Sequence, residues 1–161
     1  MTDNNADNNA ETNPQDSSMS SWHLKYLEEE AQRTSDAKTI VRKFVEDMKA
    51  AGATGTATLS FNGYGDSGDF ESAEMTDEQK EIMQKLNYIF DYDRDKYVDG
   101  KWVNESKNLV FLLPHLAQLV PFDWVNNEGG YGEYTFNFDT AEVGLSSHLR
   151  VESTEDFDDT F

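Results

Sequence analysis

"YGEYTFNFDTAEVGLSSHLRVE", Tyr131 to Glu152, is the stretch on which the fold turns. Tyr134, Phe136 and Phe138 alternate with Thr135, Asn137 and Asp139. After "DTAE", Val143, Leu145, Leu149 and Val151 alternate with Ser146, His148, Arg150 and Glu152. A two-residue apolar period marks strands with one buried face, and a short polar interval between two such runs predicts a hairpin. "TGTATLSFNG", Thr54 to Gly63, alternates in the same way, and "DFESAEM" supplies its returning strand. A second hairpin is therefore expected.

Three further stretches read as helix. Trp22, Tyr26, Ile40, Val41, Phe44, Val45 and Met48 recur at three- and four-residue steps. They predict an amphipathic helix, or two joined near Ser35, that starts at Ser20 or Ser21 and stops at Gly52. Thr76 with Gln79 makes a capping box, opening a helix through Ile82, Met83, Leu86, Ile89 and Phe90. A further apolar helix is expected from Asn108 to Val120, kinked or cut short by Pro114. The order of helix, two strands, two helices and two strands predicts an α+β fold. Its antiparallel sheet has about four strands, in two hairpins, with helices packed on one face. The expected domain is a single one over residues 21–152, with an Asp-rich loop insertion at 91–107. It lies between a disordered polar tail at 1–20 and an acidic tail at 153–161.

Charge narrows the function. The net charge is -19, from 32 acidic and 13 basic residues. Residues 22–52 hold six of each, whereas residues 53–151 hold 17 acids against seven bases. The folded part is therefore acidic in its own right. Such a surface disfavours direct binding to nucleic acid or to an anionic membrane, and favours a protein partner with a basic surface, for example a nucleic-acid-binding protein. The chain has no cysteine, which excludes disulfides, thiolate metal sites and cysteine nucleophiles. The N-terminus has neither a basic start nor an apolar run, so no signal peptide is read and a cytoplasmic location is expected.

Three segments could carry chemistry. "GYGDSGD", Gly63 to Asp69, sets Asp66 and Asp69 among three glycines; it reads as a turn between strands or as half of a carboxylate site. "WVNNEGGYGE", Trp124 to Glu133, gathers Glu128 and Glu133 before a strand, and Glu133 becomes a candidate partner of Asp66 if the two loops meet. "DYDRDKYVDGKW", Asp91 to Trp102, places Asp91, Asp93, Asp95 and Asp99 at the first, third, fifth and ninth positions of an EF-hand-like loop. Lys96 stands where that loop needs glycine and Trp102 where it needs glutamate, so only a weak calcium or magnesium site is expected. No other cofactor motif appears, and His23, His115 and His148 have no metal-ligand spacing. Ser67 in "GDSG" matches a trypsin-like nucleophile motif over four residues only, without accompanying His and Asp segments.

Together "FNGYGDSGDFES" and "WVNNEGGYGEYTFNFD" resemble a family of phage, plasmid and integrative-element proteins carrying a domain of unknown function, the DUF6878-like group. The resemblance spans residues 53–152. It implies an α+β fold and a mobile-element setting, and no activity or catalytic residue. The expected function is thus a non-enzymatic interaction protein of a phage or mobile element. Its sharpest form is a DNA mimic that inhibits a host nucleic-acid-handling or defence system. The expected interaction surface is Asp66, Asp69, Glu71, Glu74, Glu128 and Glu133. The alternatives are a metal-dependent or carboxylate-based hydrolase using the two glycine-rich loops, and a calcium- or magnesium-binding regulator using Asp91 to Asp99.

Overall fold

A computed structural model describes residues 20–90, 96–103 and 108–152. Helix α1 runs unbroken over Ser21–Ala50, since no glycine or proline interrupts it. Of the two readings, one helix or two joined near Ser35, the single helix is the one that forms: Thr39 donates its hydroxyl to the Ser35 carbonyl and the helix continues. Ala37, Val41, Phe44, Val45 and Met48 form its buried stripe. The helix ends in a Schellman motif, with Gly52 N–H bonded to Lys49 O and Ala53 N–H to Met48 O. Gly52 takes the positive φ, 96°, that this motif requires. The first half of α1 stands largely clear of the domain, leaving Trp22 71% exposed; Gln118 ties it down by bonding Glu30 at 2.7 Å and Thr34 at 3.2 Å.

The two hairpins form as expected. Strands β1 (Thr56–Tyr64) and β2 (Ser67–Glu74) make the first; β7 (Gly130–Asn137) and β8 (Glu142–Leu149) make the second. They join edge to edge through β1 and β7 into a four-stranded antiparallel sheet of order β2-β1-β7-β8. The chain is thus an α+β fold. Ala57, Leu59 and Phe61 of β1, and Tyr134, Phe136 and Phe138 at β7, point to one face and meet Val41, Phe44, Val45 and Met48 of α1 in a single core. Phe44 lies edge-on to Tyr88, Phe90, Phe136 and Phe138 at ring separations of 5.1 to 6.2 Å. Tyr134 donates its buried hydroxyl to Leu116 O at 2.6 Å, which fixes the third helix over the sheet.

Between the hairpins, two helices are shorter than their apolar periodicity suggested. Helix α2 covers only Asp77–Lys85. Asn87, at φ 60°, turns the chain out of the helix, and Tyr88–Ile89 becomes strand β3, paired in parallel with β6 at Val110–Phe111. Ile89 therefore belongs to a strand and not to the helix. Helix α3 covers Leu113–Leu119, with Pro114 in its first turn. Proline is at home there because that turn's N–H groups have no intrahelical acceptor, so Pro114 starts the helix and neither kinks nor breaks it.

The capping box of α2 is present and does more than cap. The Gln79 side chain accepts from Thr76 N–H and donates to Thr54 O at 2.8 Å, anchoring α2 to the approach of β1. In the Asp-rich segment, β4 (Lys96–Val98) and β5 (Lys101–Val103) form a small hairpin. Asp99 and Gly100, at φ 51° and 75°, take the two positive-φ positions of its turn, the Asp-Gly preference of tight hairpins. This part of the expected loop is therefore strand and turn. Ser20 apart, the expected tails lie outside the described residues.

Candidate functional site

Because all three helices cover one face of the sheet, alternation leaves the opposite face open. The pairing register writes it out in rows. Asp69, Asn62, Tyr131 and His148 form one, and Ser72, Ser60, Glu133 and Ser146 the next. Glu74, Thr58, Thr135 and Gly144 follow, then Thr56, Asn137 and Glu142. A bulge sets both Glu71 and Ser72 against Ser60, whose hydroxyl is 3.1 Å from that of Ser72. Glu71, Ser60, Asn62, Tyr131 and Arg150 border a shallow hollow of about 260 Å³.

Asp69, Glu74 and Glu133 thus share the open face, with Glu71 at its bulged edge. Asp66 lies apart at the tip of the β1–β2 turn, and Glu128, half-buried, lies in the loop before β7. Glu133 stands opposite Ser60, whereas Asp66 lies beyond Tyr64, roughly 13 Å further along the strand. The two glycine loops do meet, but through their backbones. Gly65 N–H bonds Asn127 O at 2.9 Å, and within the second loop Gly130 N–H bonds Trp124 O at 3.0 Å. A Cβ on Gly63 would overlap the Trp124 carbonyl, and one on Gly129, whose φ is 65°, would overlap the Gly63 carbonyl. The glycines are there because two chain segments pass closer than side chains allow. Asp123 closes the loop by accepting from the Asn126 side chain at 2.8 Å and from the N–H groups of Val125 and Asn126. Those bonds, the Asn126 side chain foremost, hold its carboxyl below the usual range.

Sequence reasoning missed the group at the centre of the first row. Arg150 donates to Gly63 O and, at 2.7 Å, to Asn62 Oδ1, and its guanidinium lies 4.9 Å over the Tyr131 ring. His148 stacks on the same ring at 4.9 Å and approaches Ser146 Oγ at 3.3 Å. Arg150 thereby clamps the glycine junction from outside. The signal available in the sequence was the hairpin register, which puts His148 opposite Tyr131 and Arg150 one step beyond.

Chemically, the face offers carboxylates, hydroxyls and one clamped guanidinium. Among the described residues, His148 meets only Ser146 and Tyr131, so no carboxylate orients it as a catalytic base. Among the described residues, no group of three or more histidines and carboxylates could hold a metal ion. Of the EF-hand-like aspartates, Asp99 is exposed in its hairpin turn, and Asp91, Asp93 and Asp95 lie outside the described residues. Among the described residues no helix is long and apolar enough to cross a membrane.

A family model described as a family of unknown function, DUF6878, matches residues 37–161. The chain belongs to the DUF6878 family. The DUF6878 match opens at Ala37, the first buried residue of α1, so the half-helix standing clear of the domain precedes it. It includes both glycine motifs, the Asp-rich segment and Arg150. No curated protein and no solved structure matches the chain.

Proposed function

We propose that the protein is a non-enzymatic interaction module whose open sheet face binds a partner with a basic surface. One observation carries this reading. The uncovered face presents Asp69, Glu71, Glu74, Glu133 and Glu142, and among its described residues the only Lys or Arg is Arg150, already bonded to Asn62 and Gly63. A rigid sheet holds these carboxylates at fixed spacing with little side-chain ordering left to complete on binding, the arrangement that rewards a complementary cationic surface. The sharper form of the proposal is a DNA mimic of phage or mobile-element origin. Its carboxylates would occupy the phosphate contacts of a nucleic-acid-handling or defence protein in the cytoplasm of a host.

The test is affinity capture of the tagged protein from host lysate, at low and at high salt, with mass spectrometry of what is retained. The expected result is a basic, nucleic-acid-binding protein that is lost as salt rises. A triple variant, Asp69→Lys, Glu74→Lys and Glu133→Lys, should lose that partner while keeping its circular dichroism spectrum. Retention of the partner by the triple variant would remove the sheet face from the proposal. A partner set without nucleic-acid-binding proteins would remove the DNA mimic.

A further inference from the structure

The two edges of the sheet are treated differently. Edge strand β2 carries Asp69, Glu71 and Glu74 and a bulge, devices that discourage another strand from pairing. Edge strand β8 is eight residues long, has an unbroken register with β7, and carries no lysine or proline; its one carboxylate, Glu142, is its first residue. Backbone direction on β8 follows from three contacts. Arg150 N–H bonds Gly129 O, and the carbonyl oxygens of Ser146 and His148 lie against Gly132 and Gly130 of β7. Even-numbered residues of β8 therefore bond to β7. Val143, Leu145, Ser147 and Leu149 turn their N–H and C=O groups to the open edge.

We infer that β8 pairs with β8 of a second copy, antiparallel about a two-fold axis at Ser146. Pairing requires odd-numbered residues to face each other, and the register centred on Ser146 meets that condition over the whole strand. It places Val143 opposite Leu149 of the second copy and Leu145 opposite Ser147. On the other face Gly144 meets His148, and Glu142 meets Arg150 of the second copy. No carboxylate opposes a carboxylate, and Leu149 and Val151, 51% and 75% exposed in the single chain, gain apolar neighbours. On the inner side, Leu145 and Val143 border a groove of about 220 Å³ beside Lys38, Val41 and Arg42 of α1, and among the described residues β8 pairs with no strand but β7. The result is a continuous eight-stranded sheet with every helix on one side and both acidic faces on the other. This inference does not depend on the partner proposed above.

Salt separates the two readings. Each copy carries -19, so self-association is opposed by repulsion that salt screens, with a Debye length of about 8 Å at physiological ionic strength. Dimerisation should strengthen with salt, whereas capture of a basic partner should weaken. Light scattering of the full chain should give twice the monomer mass, with the dimer fraction rising with salt. The chain has no cysteine, so Ser146→Cys introduces a unique thiol on the axis. Directly opposed residues in such a non-hydrogen-bonded pair have Cα atoms about 4.5 Å apart, within disulfide reach. Mild oxidation should cross-link Ser146→Cys in high yield and Thr58→Cys, on a central strand, hardly at all. Leu149→Glu, at an exposed site, should return the protein to monomer without loss of fold. A monomer at every salt and concentration, or equal cross-linking of Ser146→Cys and Thr58→Cys, would overturn the inference and leave the edge to a strand from another protein.

Discussion

Replacing Gly63 with alanine probes the backbone junction at the heart of the fold. The added Cβ would sit 2.8 Å from the carbonyl carbon of Trp124 and closer still to its oxygen, with the Trp124 ring at 3.1 Å. Neither backbone can yield alone, because Gly63 is inside β1 and Trp124 is packed against Phe61 and Phe70. The loop before β7 must therefore part from the hairpin. That strains the Gly65–Asn127 bond, at about 1 kcal/mol, and the charge-assisted Arg150–Gly63 bond, at about 2 kcal/mol. Loosened packing around Trp124 adds about 1–2 kcal/mol. The expected loss is about 4–5 kcal/mol, a large part of the stability of a domain this size. Two other glycines calibrate the measurement. Gly65 has φ 68° and open space around it, so Gly65→Ala should cost only about 1 kcal/mol of backbone strain. Gly144 has nothing nearer than 4.0 Å and needs no positive φ, so Gly144→Ala should be neutral or stabilising by about 0.5 kcal/mol. Urea unfolding followed by tryptophan fluorescence measures all three, with the m-value checking that cooperativity is kept. A Gly63→Ala loss under about 1 kcal/mol, or a Gly144→Ala loss as large as that of Gly63→Ala, would refute the close-approach account.

Two further substitutions test polar contacts. Gln79→Glu keeps the acceptor that Thr76 N–H needs but removes the donor to Thr54 O, leaving a buried carboxyl facing carbonyl oxygens. It should cost about 2 kcal/mol at neutral pH, and less in acid as the carboxyl protonates and donates again; a pH-independent loss would contradict this. Asp47 is held below the usual carboxylate range first by the Lys43 ammonium and then by the Tyr88 hydroxyl, each at 2.7 Å. A depressed folded-state pKa contributes stability above the unfolded value, near 4, that is lost as pH falls through the folded value. Wild type should therefore exceed Asp47→Asn by no more than about 1 kcal/mol at pH 7, because Asp47 is partly exposed, and the gap should close towards pH 2. A gap that widens in acid would reverse the assignment. The same contact appears at Tyr88, whose phenol is pushed well up by burial and then by Asp47.

What the sequence showed well was what local periodicity controls. The alternation of Tyr134, Phe136 and Phe138 assigned the buried face of β7, and Thr76 with Gln79 located the start of α2 to the residue. Periodicity failed where a local preference competed with a distant partner. Ile89 and Phe111 keep helical spacing with their neighbours, yet they pair with each other as β3 and β6, and Asn87 ends α2 before its apolar pattern does. The Asp-Gly pair at 99–100 was a legible hairpin signal hidden inside an apparent metal loop.

The candidate face divides in the same way. Composition and alternation by themselves determined that the folded part is acidic, that its strands present one polar side, and that the glycine motifs turn the chain. Only the tertiary structure decided that β1 lies beside β7, and from that neighbour relation the rest follows. It gathers Asp69, Glu74 and Glu133 on one surface while keeping Asp66 apart, it drives Gly63 and Gly129 into backbone contact, and it brings Arg150 across 87 residues to the Gly63 carbonyl. Strand order is a long-range choice, made by which apolar faces pack together on Phe44 and its ring of aromatics. No window of local sequence contains both partners of that choice.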